Sequence, residues 1–266
     1  MAKIIVGAIK NTLLIFFTVA TVTAQTHSPK EKSTQAQSEP LLIATAANFR
    51  QPLQKLIHFM ASSQSHDKEI RVTSGSTGAI YQKILKGAPY HLFFAADEKH
   101  PRLLERAKKI VPGSRKTYAE GKLVLWSSPN IQGGLSKRLG QCKKLVFAHP
   151  QLAPYGKAAQ RVLDLSLPTE AYPRLIRANN VGQAMQMIHT RNVDCGFVAW
   201  SQVLTRAYDE KSYVKIPQDK YPAIRQQMVI IKHRQDNPSA KAFAEFVMSK
   251  VGQALIAKAG YQSRSK

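Results

Sequence analysis

The sequence predicts an α/β fold of two lobes, each a mainly parallel sheet flanked by helices, with a ligand cleft between them. Three observations predict it. Short apolar runs alternate with stretches of helical spacing from Leu41 onward, this β-α pattern occurs twice, and two extended runs, near Lys122–Trp126 and Gln227–Ile231, lie where the chain would cross between the two halves. Alternating strand and helix favours a parallel sheet covered by helices. A cleft between two such lobes is where a ligand binds. The expected partition is lobe 1 at residues 41–121 and 233–266, lobe 2 at 128–224, and crossings at 122–127 and 225–232.

The chain opens with Lys3 and Lys10, followed by the apolar run Leu13-Leu14-Ile15-Phe16-Phe17-Thr18-Val19-Ala20 and the small residues of Val22-Thr23-Ala24. This is the pattern of an export signal over residues 1–24, cleaved before Gln25. A membrane anchor is the competing reading, but the run is shorter than the ~20 residues a spanning helix needs. No Cys stands at the cleavage point to carry a lipid. An exported, soluble periplasmic protein is expected. Residues 25–40, rich in Ser, Gln, Lys and Pro, read as a lead-in without a packed core.

Leu41–Ala46 is a buried-strand run, and Pro52 with Leu53, Leu56, Ile57 and Met60 marks the helix after it. Glu69–Thr73 alternates as a strand and leads through Ser74-Gly75-Ser76-Thr77-Gly78 into a helix over Ala79–Leu85. Gly87-Ala88-Pro89 breaks that helix, His91–Ala96 forms the third strand, and a helix follows around Leu103–Lys108. In the second half the strands are Lys144–Ala148, a short one from Leu175 to Asn179-Asn180, and Cys195–Ala199. Their helices begin at Tyr155-Gly156, Val181 and Trp200-Ser201. The last strand, Gln227–Ile231, precedes an amphipathic helix from Pro238, whose pattern continues through Leu255, Ile256 and Ala259.

The 266 residues include 39 basic and 16 acidic side chains, a formal net charge of +23. Such a charge suits nucleic acid, an anionic membrane or a small anion. The basic residues are dispersed, with no run longer than pairs such as Lys108-Lys109, which argues against a nucleic-acid docking stripe. Catalytic motifs are missing. The hydroxyl loop is neither a G-x-S-x-G elbow nor a P-loop. The eight histidines form no H-x-x-x-H pair on a helix, and two cysteines, Cys142 and Cys195, are too few for a zinc site. In an exported protein these two are free to pair, and geometry decides whether they do.

The recurrent feature is a strand that ends in a small or polar loop and opens a helix: Ala47-Asn48, Ser76-Thr77, Tyr155-Gly156 and Asn180-Val181. Each can aim backbone N–H groups at an anion. None of these loops carries a carboxylate. A hydrogen phosphate needs an acceptor for its own proton, whereas a fully ionised tetrahedral dianion needs donors only. The set therefore favours sulfate, molybdate or tungstate. Read one at a time, Asn48 is equally an N-cap, Ser74–Gly78 an ordinary turn and Val181 a core residue.

Ala44-Thr45-Ala46-Ala47-Asn48-Phe49, Ser74-Gly75-Ser76-Thr77-Gly78, Gly87-Ala88-Pro89 before Leu92–Asp97, and Gly196-Phe197-Val198-Ala199 together resemble the periplasmic molybdate-binding proteins of ABC transporters, over about Leu41–Tyr261. The resemblance implies a type II periplasmic-binding-protein fold, no cofactor and no catalysis. It implies one bound oxyanion, molybdate or tungstate, delivered to a membrane permease by a monomer. It implies contacts from Asn48, from the Ser76 and Thr77 hydroxyls, and from the backbone of Tyr155 and Val181. One branch of the family adds a tyrosine hydroxyl where this chain has Ala199. Two other functions stay open: a basic protein that binds acidic polymer or membrane through its charge, and a hydrolase using Ser76.

Overall fold

The computed structural model describes residues 39–63, 69–168, 171–232 and 237–262. The expected export signal, and the lead-in as far as residue 38, lie outside the described residues.

The first lobe begins with β1 (Leu41–Ala46), buried on both faces, as a strand covered by helices must be. A 3-10 turn at Ala47–Phe49 leads into α1 (Arg50–Ser63), with Pro52 in its first turn, where an N–H would have no intrahelical acceptor to lose. Then come β2 (Ile70–Gly75), α2 (Thr77–Leu85), β3 (Leu92–Phe94), α3 (Lys99–Arg106) and β4 (Lys116–Gly121). The second lobe holds β5 (Leu123–Ser127), α4 (Leu135–Gln141), β6 (Lys144–Ala148), α5 (Pro154–Ser166), β7 (Arg174–Ala178), α6 (Val181–His189), β8 (Cys195–Ala199), α7 (Trp200–Thr205) and β9 (Tyr213–Lys215). The chain returns through β10 (Ile224–Ile230) to α8 (Pro238–Met248) and α9 (Lys250–Lys258).

Two five-stranded sheets result, ordered β2-β1-β3-β10-β4 and β7-β6-β8-β5-β9. In each, four strands point the same way and one is reversed. The reversed strands are β10, antiparallel to β3 and β4, and β5, antiparallel to β8 and β9. Each is the strand by which the chain arrives from the other lobe. The mainly parallel expectation stands, with one antiparallel insertion per sheet.

The first passage between the sheets is shorter than the stretch expected for it, and the second lies earlier in the chain. Leu123–Ser127 is fully buried and paired on both sides, and β10 is paired with β4 from Ile224 onward. Only Lys122 and the segment between Lys215 and Ile224 lie outside the two sheets. A buried extended run cannot leave its N–H and C=O groups unpaired, so it joins the nearest sheet.

Strand alternation splits the first lobe's core between two faces. Ile43, Phe94 and Met228 pack on one side with Phe49 and Phe243, while Ala44, Phe93 and Val229 face Ile80 and Leu104 on the other. Phe49 lies 4.6 Å from Tyr118 and 5.5 Å from Phe94, ring centre to ring centre. This anchors the turn that follows β1.

Cys142 and Cys195 are joined, with their Cα atoms 5.9 Å apart. Cys195 opens β8 opposite Leu145 of β6, and Cys142 lies just before β6, so the parallel pairing of the two strands brings the thiols together. The bridge closes a loop of 53 residues. Chain entropy alone gives such a closure about 4 kcal/mol. Replacing both cysteines by serine is expected to lower the unfolding free energy by about 2–4 kcal/mol, seen as a lowered urea midpoint with a somewhat steeper slope, because the freed unfolded chain exposes more surface. An unshifted midpoint would remove the bridge from the stability of the second lobe.

Candidate functional site

The strands position four helix starts around one point. β1 and β2 end side by side, Ala46 opposite Gly75, and β6 and β7 do the same, Ala148 opposite Ala178. Each end leads into a helix, through one residue after β2, two after β7 and the turn at residues 149–153 after β6. The two pairs of helix starts face each other across the seam between the lobes. The Gly78 N–H donates to the Leu152 carbonyl at 3.0 Å. A Cβ on Gly182 would stand 3.2 Å from the Ala47 Cβ. The lobes are closed on one another.

All five residues expected at the site, Asn48, Ser76, Thr77, Tyr155 and Val181, lie at this seam, each 5% exposed or less. Ser76 caps α2, its Oγ accepting from the Ala79 N–H at 3.4 Å. Thr77 Oγ1 accepts from the Ala96 N–H at 3.0 Å, which ties α2 to the end of β3. A hydroxyl whose lone pair is taken by a backbone N–H still has its own proton to give. Both side chains are thus set as donors.

The second lobe contributes backbone. In α5 the Lys157 N–H already bonds to the Ala153 carbonyl, and Pro154 has none, which leaves the Tyr155 and Gly156 N–H groups in the unpaired first turn. Gly156 has to be glycine, because a Cβ there would overlap the Ala148 carbonyl at the end of β6. In α6 the Asn180 side chain accepts from Gln183 at 3.0 Å and its carbonyl from Ala184, leaving the Val181 and Gly182 N–H groups. The Val181 side chain is core, and its carbonyl accepts from Gln202 Nε2 at 3.2 Å. Gln202 Oε1 also accepts from the Ala199 N–H at 3.1 Å. At the position where one family branch carries a tyrosine, an amide bridge therefore ties β8 to α6.

Asn48 differs from expectation in one respect. Both hydrogens of its carboxamide are engaged, one on Gln226 Oε1 at 2.9 Å and one on the Tyr261 hydroxyl at 3.0 Å. The Asn48 backbone carbonyl accepts from Tyr261 at 2.9 Å and from Ser201 at 3.3 Å. The side chain is a buried strut, and what it can offer a ligand is the backbone N–H of a helix's first turn. The Tyr155 phenol is likewise structural, accepting from Gln226 Nε2 at 3.2 Å and lying on Gly121, where no Cβ would fit. Sequence reasoning missed Gln226, Tyr118, Tyr261 and Ser201. The available signal was Gln226-Gln227, two amides at the head of an apolar strand.

Burial pushes the Tyr118 and Tyr155 phenols well above the ordinary value of 10.0, and neighbouring tyrosines add to the rise. They stay neutral at any physiological pH. Among the described residues, the hydrogen bonds of the five site residues involve no carboxylate. Asp97, at the end of β3, is turned to the His100 N–H at 3.0 Å and to His100 Nδ1 at 2.7 Å. No group of three or more His, Cys, Asp or Glu among the described residues could hold a metal ion. Among the described residues, the hydrogen bond of Ser76 Oγ is to the Ala79 N–H and involves no His, Asp or Glu side chain.

Two grooves flank the seam. One, of about 280 Å³, runs between Asp97–Arg102 and Pro150–Ala158. The other, of about 490 Å³, takes Arg50 and Gln51 from the first lobe and Asn180, Gln183 and Arg206 from the second. No carboxylate lines this second groove, and neither arginine forms an ion pair among the described residues. A seam whose site residues bond no carboxylate, beside a groove that carries two arginines, suits an anion.

A family model for bacterial extracellular solute-binding proteins matches residues 41–262. The molybdate-binding protein ModA of Azotobacter vinelandii is 37% identical over 235 residues, spanning 85% of this chain and 91% of that protein. ModA of Rhodobacter capsulatus is 32% identical over 231 residues, spanning 85% and 89%. The solved structure of the periplasmic molybdate-binding protein of Azotobacter vinelandii superposes with a TM-score of 0.77 at 36% identity, covering 85% of this chain and all, 100%, of that one. The sulfate-binding protein SubI of Mycobacterium tuberculosis shares the fold alone, at 14% identity, a TM-score of 0.64 and coverage of 84% and 86%.

Gly156→Ala is expected to push α5 off the end of β6, lowering the melting temperature by several degrees and weakening anion binding together. A thermal scan and a titration on the same sample check this. The buried phenols predict an alkaline limit. Above pH 10.0 the unfolded chain releases tyrosine protons that the folded chain keeps, so stability is complete below that value and falls as pH rises beyond it. In urea titrations from pH 8 to 11, Tyr155→Phe should show the shallower fall.

Proposed function

The chain belongs to the bacterial extracellular solute-binding proteins, and from that premise we propose that it captures molybdate or tungstate at the seam and hands it to the permease of an ABC transporter. Its site of action is the periplasm, reached through the export signal at residues 1–24. The observation that carries the choice of ligand is the donor-only cradle. It is supported by four helix starts and two hydroxyls at the seam, whose hydrogen bonds among the described residues involve no carboxylate. The molybdate-binding names of its relatives support the same reading.

The proposed contacts are the backbone N–H groups at Asn48, Tyr155 and Val181 and the side-chain hydroxyls of Ser76 and Thr77. Aligned helix dipoles favour negative charge at each start. A charge-assisted hydrogen bond contributes on the order of 1.5–3 kcal/mol, so a handful reach micromolar binding, roughly −8 kcal/mol. A hydrogen phosphate has its own O–H to place, and no carboxylate bonded to these residues is there to accept it, which disfavours it.

Asn48, Ser76 and Thr77 belong to one lobe and Tyr155 and Val181 to the other. A ligand that touches both sets binds the closed form better and shifts the population toward it. Closure has a built-in reporter. Trp200 of α7, with Lys215 Nζ 4.1 Å above its ring, packs on Gly260 of the first lobe. Gly260 has φ +92°, and a Cβ there would meet the Trp200 ring.

Calorimetric titration is expected to give micromolar or tighter binding of molybdate and tungstate, weaker binding of sulfate and none of phosphate, with a change in tryptophan emission. Absence of heat with molybdate up to millimolar concentration would sink the proposal. Thr77→Val removes one donor and should raise the dissociation constant roughly tenfold, while Thr77→Ser should restore it. Equal affinity in all three proteins would take Thr77 out of the cradle.

A further inference from the structure

Selectivity for one oxyanion over a smaller one requires that the two halves of the cradle keep a fixed distance. We infer that the Gln226 carboxamide is the positioning residue that sets this distance. It braces Asn48 in the first lobe against Tyr155 in the second, and so determines the size of anion the seam accepts. This holds only with the oxyanion reading above, whose ligand contacts it takes as given.

Gln226 is 0% exposed, on the strand that returns from one lobe to the other. Its Oε1 accepts from Asn48 Nδ2 at 2.9 Å and from the Tyr118 hydroxyl at 3.0 Å. Its Nε2 donates to the Tyr155 hydroxyl at 3.2 Å. The direction of the amide is forced. The Tyr261 hydroxyl gives its proton to the Asn48 backbone carbonyl, so the Asn48 side-chain atom beside it is the donor Nδ2; the Gln226 atom facing that Nδ2 is then Oε1, and Nε2 is left to face Tyr155. The pairing of β10 with β4 shifts register between Gln226 and Gln227. Such an irregularity re-aims a side chain. Here Gln226 turns to the seam while Gln227 bonds Thr117 and Glu98.

Neither end of the brace is free to drift. Asn48 is held a second time by Tyr261, which also bonds Ser201 of the second lobe at 3.0 Å. The Tyr155 ring lies flush on Gly121, at the last residue of β4 before the chain crosses. A displacement of either residue breaks a buried hydrogen bond, and a buried polar group left without a partner is costly. The backbone N–H groups proposed to hold the anion belong to these same two residues, so the amide fixes their spacing.

The test compares Gln226→Leu, Gln226→Glu and Tyr155→Phe with the wild-type protein, each titrated with molybdate and with sulfate well below its melting temperature. Gln226→Leu is close in size and removes both bonds. It should weaken molybdate binding tenfold or more and compress the molybdate-to-sulfate affinity ratio. Gln226→Glu keeps the acceptor and places a charge beside the dianion. Its molybdate affinity should fall further between pH 6 and pH 8.5, where the wild-type affinity stays level. Tyr155→Phe cuts one end of the brace, keeps the backbone N–H, and should move the ratio in the same direction as Gln226→Leu. A purely structural amide would lower the melting temperature and leave the ratio unchanged. An unchanged ratio in any two folded variants overturns the inference while the oxyanion reading stands. Wild-type protein that binds neither anion overturns both.

Discussion

The N–H groups in the first turn of a helix have no acceptor inside that helix, and burying them without a partner is costly. This chain buries four such starts against one another. Capping side chains and a bond across the seam satisfy part of the demand: Ser76 takes the Ala79 N–H, Asn180 takes Gln183, and Leu152 takes Gly78. The remaining N–H groups, at Asn48, Thr77, Tyr155, Gly156, Val181 and Gly182, lie at the seam, where among the described residues no acidic side chain bonds to the site residues. A cleft built in this way is completed by an anion. The two sheets hold the helix starts in place, and their single reversed strands let each lobe close on itself although the chain passes between them twice.

The second constraint is steric. Where the lobes meet, the chain puts glycine: Gly78 against Leu152, Gly182 against Ala47, Gly260 against Trp200 and Leu204. Backbone meets backbone or a ring with little between, so small shifts at the seam register as changes in the cradle. Packed interiors of this density transmit displacement instead of absorbing it. The phenols of Tyr118, Tyr155 and Tyr261 fill the space behind the cradle, and burial keeps them neutral, so that the polar network carries no charge of its own.

The basic residues behind the net charge of +23 are dispersed along the sequence, and the fold brings some of them together. Arg50 and Arg206 come from opposite lobes, 156 positions apart by their numbers, yet line one carboxylate-free groove beside the seam. A cleft lined by one sign of charge raises the local concentration of the opposite ion and speeds its arrival. The general field and the local groove therefore act in the same direction.

Local pattern by itself determined the alternation of strand and helix, the two-lobed layout, the hydroxyl loop ahead of α2 and the helix starts at Tyr155 and Val181. These follow from spacing within a few residues, which periodicity and capping chemistry report directly. Tertiary structure alone decided four matters: that Cys142 meets Cys195, that Leu123–Ser127 is an inner strand, that the Asn48 amide is a strut, and that Gln226 braces it. The partners of Asn48 lie 178 and 213 residues away, and Tyr155 lies 71 residues from Gln226. The direction of a buried amide is settled by what stands opposite it in space, and nothing within reach along the chain carries that information.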